Sequence, residues 1–317
     1  MEFLPIKLSY LKNISEIPCD IFVRIKKQKM EDQYVKLLNG KEVLEPERLE
    51  KYLEQNVTEF YVAAENMQLF LTSMADQLVA KLSDDKQRLE TRVLSSATAH
   101  SVVKSLIREM ELTQTSIDIS EASIKCMKDT ILKSSNLTSV ILMLLSHEVS
   151  FAYQQCYLRA LTCHYILSKQ SNPEPHHFDV LSFASFFSDI TLDTTEEMLV
   201  SNLSEIDANF SEESRQRIMN HPKDAVEMMK GHPEFNQFIS TVMLQANGTL
   251  SGEGFIKNPA ETLHPLSRIF VVADTFVNFL LDPKKPSSKK EILPLLLEKY
   301  PNPSYLKIIE ALGQKFN

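Results

Sequence analysis

Glycine is scarce in this chain, with six residues in 317 and four of them between Gly231 and Gly254. Long stretches can therefore run as uninterrupted helix, with breaks confined to a few places. There is no basic block, and 34 lysines and arginines stand against 42 acids for a net charge of −8. That balance argues against phosphate-rich partners such as nucleic acid or an anionic membrane surface. Apolar runs all fall short of the roughly 18 residues that a membrane span requires. The start, MEFLPIKLSYLKN, lacks the basic, apolar and small-residue succession of a secretory signal, so a cytoplasmic location is expected. Only four cysteines occur, Cys19, Cys126, Cys156 and Cys163, with no CxxC pair and no zinc-ribbon spacing. Reduced, buried thiols are the expectation.

The composition is that of a globular protein, 43% hydrophobic and 24% charged, and the length suffices for two domains. Before about residue 65, CDIFVRI, QYVKLLNG and TEFYVAA read as strands, and LEPERLEKYLEQN reads as a helix between the second and third. This predicts a small α+β module with the order β-β-α-β over residues 1–65. Residues 66–115 lack glycine and proline and keep apolar residues near a period of 3.6, which predicts one or two long connecting helices able to pair within the chain or with a second copy. Residues 116–317 read as successive helices, among them 137–170, 176–190, 211–219, 222–230 and 262–282. Breaks fall at SNPEP, GHP, NGTLSGEG and DPKKPSS. The fold class is mostly α, with an all-helical C-terminal domain.

Several residues could carry chemistry. His176-His177 opens a helix, but adjacent helical residues point about 100° apart, which disfavours a shared metal. His147-Glu148 lacks the second histidine of an HExxH zinc site, because Phe151 stands there. In FASFFSDITL and RIFVVADTFVNFLL, Asp189 and Asp274 interrupt apolar segments, and each needs a partner if buried. His221, in NHPKDAVEMM just ahead of a helix, offers a nitrogen ligand. Two acids and a histidine from three helices could converge on a cation or be satisfied separately.

The segment GEGFIKNPAETLHPLSRIFVVADTF, residues 252–276, resembles the HD-GYP family, phosphodiesterases of the HD superfamily that hydrolyse cyclic di-GMP at a cluster of two or three metal ions. Gly252, Gly254, Arg268, Ile269, Ala273 and Asp274 match, while Phe255 and Ile256 replace the signature Tyr-Pro. FFSDITL falls at the family's His-Asp-Ile-Gly-Lys motif, where Asp189 and Ile190 match. Ser188, Thr191 and Leu192 replace the histidine, glycine and lysine. Gln155 stands where the first histidine belongs, His221-Pro222 matches the family's His-Pro, and Ala246 and Asn247 lie where an adjacent His-His pair would be. The N-terminal module is similar to the small domain that precedes some HD-GYP regions.

The resemblance implies a degenerate member, with a helical HD-type domain over 116–317 whose metal-ligand positions Asp189, His221 and Asp274 survive while four histidines are lost. Even one outer partner is commonly worth 10–100-fold in metal affinity, so four lost ligands cost at least about 10⁴. No cofactor is expected. The alternative is a divalent iron or manganese ion at a reduced site completed by water or Gln155. The implied function is a catalytically inactive binding or regulatory module in cyclic-di-GMP signalling. Its partners would be signalling proteins such as diguanylate cyclases, or a second copy of the chain. The enzyme alternative is weak phosphodiesterase activity. A third is a receptor that binds cyclic di-GMP without cutting it, using Lys257 and Arg268 for the phosphates.

Overall fold

The computed structural model describes residues 2–11, 14–25, 33–43, 45–54, 57, 59–133, 137–147, 149–206, 210–255, 262–285 and 288–313. These form two compact units, Met1–Ile107 with Thr113–Ser123, and Arg108–Leu112 with Ile124–Asn317.

The first unit holds strands β1 (Phe3–Lys7), β2 (Ile21–Ile25), β3 (Gln33–Leu38) and β4 (Glu59–Ala63), with the short helix α1 (Leu8–Leu11) and α2 (Pro46–Glu54). The sheet is antiparallel with order β1-β4-β2-β3, and β1 pairs with β4 from Phe3 opposite Ala63 to Lys7 opposite Glu59. The sequence pattern supplies β2, β3, α2 and β4 but not β1. Proline at position 5 weakens a strand signal, and it is tolerated here because β1 is an edge strand. Ile6, Ile21, Leu38, Phe60 and Val62 are buried, while Phe3, Phe22, Tyr34 and Tyr61 stack against one another. Two long helices follow, α3 (Met67–Ser83) and α4 (Leu89–Met110), and α3 packs on β4.

The second unit is helical. After α5 (Gln114–Lys133) come α6 (Leu137–Ser146), α7 (Phe151–Ser168), α8 (Pro175–Phe187), α9 (Thr195–Leu199) and α10 (Glu212–Met229). The chain continues with α11 (Gln237–Leu244), α12 (Pro265–Leu281), α13 (Lys289–Lys299) and α14 (Pro303–Gly313). α7 is the central rod, buried along most of its length and packed against α8, α12 and α14.

Two helix boundaries differ from the sequence expectation. The single helix expected over 137–170 is two, because Ser150 caps α7 by accepting from the Tyr153 N–H. The helices expected over 211–219 and 222–230 are one, so His221 lies within α10 rather than ahead of a helix. Pro222 has no N–H to give the carbonyl of Ile218, and His221 Nδ1 lies 2.8 Å from that oxygen and donates to it instead. The carbonyl of Met219 accepts from the Gly254 N–H at 2.8 Å. The proline is thus accommodated by two substitute bonds, one of them from the glycine-rich loop.

Candidate functional site

Asp189, His221 and Asp274 do come together, from the end of α8, the middle of α10 and the middle of α12, and all three line one cleft. A fourth residue organises them. Arg159, on α7 and 2% exposed, donates from Nη2 to Asp189 Oδ2 at 2.6 Å and from Nη1 to Asp274 Oδ1 at 2.7 Å. Nη2 also donates to the carbonyl of Ser185 at 3.1 Å, in the last turn of α8 where carbonyls lack helical partners and the dipole favours a cation. The guanidinium carbon sits 5.1 Å from the centre of the Phe270 ring.

The electrostatics follow from this geometry. Burial works against the Arg159 charge, but the two carboxylates more than offset it and raise its pKa further, so it is permanently protonated. Burial pushes the Asp274 carboxyl above the usual carboxylate range, against the downward pull of Arg159. Burial likewise lowers the His221 pKa, so this imidazole is neutral at pH 7. With Nδ1 donating to Ile218, its free Nε2 lone pair faces Asp189 Oδ1 at 3.9 Å, beyond hydrogen-bond reach.

Of the positions read as lost ligands, Gln155 has taken a structural bonding role. Gln155 Nε2 donates to Asn278 Oδ1 at 2.6 Å and to the Met198 carbonyl at 3.1 Å, and Asn278 Nδ2 donates to Asp274 Oδ2 at 3.2 Å. Ser188 is buried, and its hydroxyl has no partner among the described residues. Ala246 and Asn247 line the cleft. Leu192, in the lysine position, is buried with Met198 and Ile218, and Phe255, in the tyrosine position, packs against that cluster with Val200 and Phe151. A hydrophobic plug therefore stands beside the cleft. Gly252 and Gly254 both have positive φ, and a Cβ on Gly252 would meet Leu244 Cδ2 at 2.6 Å. Ile256 and Lys257 lie outside the described residues, as does Glu148. Arg268 does not line the cleft and acts electrostatically on His264 and Tyr305.

A divalent cluster fits this donor set poorly. One oxygen of each carboxylate is engaged by a guanidinium that cannot be deprotonated, and the cation stands between the acids. A metal ion there would face a fixed positive charge and find only one imidazole. The sequence reading overlooked Arg159, although its signal was present: a lone arginine in the apolar run CYLRALTCHYIL makes the same demand for a partner as Asp189 and Asp274 do. His147 Nδ1 lies 2.8 Å from the Met143 carbonyl, and His176 and His177 lie at the opposite end of α8 from Ser188.

Comparison with known proteins agrees with this architecture. Residues 139–291 match the HD domain family. The solved structure of Bd1817, a HDG"Y"P protein from Bdellovibrio bacteriovorus, superposes with a TM-score of 0.60 over 98% of each chain at 15% sequence identity. No curated protein matches the chain. No helix among the described residues is long and apolar enough to cross a membrane. Residues 139–291, just under half of the chain, are thus similar to the HD domain family, and the chain shares its fold with the Bdellovibrio HDG"Y"P protein.

Proposed function

We propose that this chain is a non-hydrolysing HD-GYP-like protein that acts by binding, as a scaffold or regulatory module in cyclic-di-GMP signalling. The observation that carries this reading is the pair of partly buried ion pairs from Arg159 to Asp189 and Asp274. Hydrolysis of a phosphodiester by an HD centre depends on metal ions that activate water and offset charge on the phosphate. Arg159 offsets the charge of the acids instead. It has no vacant orbital to coordinate and acidify a water, and no lone pair to accept a proton. Leu192 in the lysine position supplies no second cation.

The receptor alternative draws less support from the same cleft. Two carboxylates face one guanidinium there, and Arg268 lies elsewhere, so no excess of positive charge awaits a phosphate. Protein partners, diguanylate cyclases or a second copy among them, fit an acidic chain that exposes Leu142 and Leu145 on α6.

The test is an assay of purified protein with cyclic di-GMP and added manganese or ferrous iron, following the linear dinucleotide and GMP. The expected result is no turnover above a protein-free control. Turnover that disappears in Asp189→Ala and Asp274→Ala variants would sink the proposal. A calorimetric titration with the dinucleotide, run in parallel, would reveal the receptor alternative by saturable heat.

A further inference from the structure

The N-terminal end of α8 carries a second group of ligand-type side chains, separate from the buried cleft. Glu174, His176 and His177 each present one ligand atom, and these atoms all lie within 4.8 Å of one another. The 13 residues of α8 place this group about 20 Å from Asp189 at a rise of about 1.5 Å per residue, and none of the three lines the cleft.

Adjacent histidines on a helix should diverge, yet here both imidazoles fold back onto residue 174. His176 Nδ1 lies 3.2 Å from Glu174 Oε2, and His177 Nδ1 accepts from the Glu174 N–H at 3.4 Å. The two rings are 4.3 Å apart and tilted by 56°. Glu174 sits between Pro173 and Pro175, and the following proline holds it extended, at φ −86° and ψ 145°. The carboxylate is therefore presented from a stiff backbone. Phe238 stands beside the His176 ring at 5.9 Å and contacts His264 at the same distance, giving the group an apolar wall.

Two imidazole nitrogens and one carboxylate oxygen are donors suited to a borderline divalent ion, with water completing an open site. Metal–ligand distances of about 2.0–2.1 Å require the donors to close to roughly 3.4 Å. Glu174 and His176 are exposed, and the movement replaces their mutual contact and the capping box between Glu174 and His177. The His177 nitrogen gives up only a long hydrogen bond in exchange.

We propose that Glu174, His176 and His177 form a surface site for a divalent transition-metal ion of the zinc type, independent of the buried cleft. The test is calorimetric titration of untagged, chelator-treated protein with zinc chloride. One ion per chain is expected. His176→Ala and His177→Ala should each weaken binding by at least about 10-fold. His147→Ala, which removes a histidine elsewhere on the unit, should leave binding unchanged. An absence of saturable binding overturns the proposal, and so does binding that survives in the His176→Ala/His177→Ala double variant. The same holds if His147→Ala weakens binding as much as the other two.

Discussion

Arg159 donates from Nη2 to Asp189 Oδ2 at 2.6 Å, in the cleft that Asp189 shares with His221 and Asp274. With its second bond to Asp274, a side chain of the protein supplies a positive charge between two acids.

The first prediction concerns what this costs when broken. Arg159→Met leaves two largely buried carboxylates without their shared cation, and the folded state should lose about 3–5 kcal/mol. Combining it with Asp189→Leu and Asp274→Leu removes the stranded charges and should recover most of that loss. Urea midpoints of the single and triple variants read this directly. A triple variant less stable than Arg159→Met would mean that the acids serve the fold in some way beyond balancing Arg159.

Restoring histidines alone should not rebuild a metal centre. A Gln155→His/Ser188→His variant keeps Arg159 bonded to both acids, so it should bind manganese no better than the parent protein. Electron paramagnetic resonance of added manganese, as the fraction bound at a fixed concentration, checks this. Strong binding in that variant would show that the guanidinium yields easily.

The glycine-rich loop gives a third expectation. Gly252 has φ +74°, and an added Cβ would lie 2.6 Å from Leu244 Cδ2 and 3.3 Å from the Lys223 backbone nitrogen. Gly252→Ala should destabilise the protein by about 1–3 kcal/mol through backbone strain and this contact. Its thermal midpoint should fall below that of Ser251→Ala, a substitution at the exposed neighbouring position.

Acid should destabilise the helical unit. Burial lowers the pKa of His164 and of His232 to about 4, and lowers that of His221 as well. The unfolded chain binds protons near pH 6.5 that these folded imidazoles refuse. Their contribution is complete above that pH and is lost progressively as pH falls towards 4. For His164, buried at 3% exposure with Nε2 2.8 Å from Ser182 Oγ, the loss is on the order of 3 kcal/mol. Urea midpoints should drop between pH 7 and pH 5, and His164→Gln should flatten the slope. A midpoint that rises over that interval would contradict the assignment.

The general architecture was legible because its signals are local. Helical periodicity, the scarcity of glycine and the breaks at SNPEP and NGTLSGEG mark most helices, and alternation marks three of the four strands. β1 escaped because Pro5 suppresses a strand signal that edge pairing restores. The continuity of α10 through Pro222 escaped because it rests on His221 Nδ1 and the Gly254 N–H, two donors that no local pattern announces. At the site, Asp189, His221 and Asp274 were legible as residues that interrupt or adjoin apolar segments. Their partner was not recognised, since Arg159 lies 30 residues from one acid and 115 from the other. The convergence of His176 and His177 was hidden for a related reason. Helical geometry separates their Cβ directions, and the contacts of both rings with Glu174 at the helix cap draw them together.

The account rests on Arg159 holding the place of a metal ion. The most direct measurement is a crystal structure of the protein grown with excess manganese, using anomalous scattering to locate the metal. The account predicts the guanidinium between Asp189 and Asp274 at the distances given above, with no anomalous peak in the cleft. A peak within about 2.3 Å of either carboxylate, with Arg159 turned away from the acids, would contradict it.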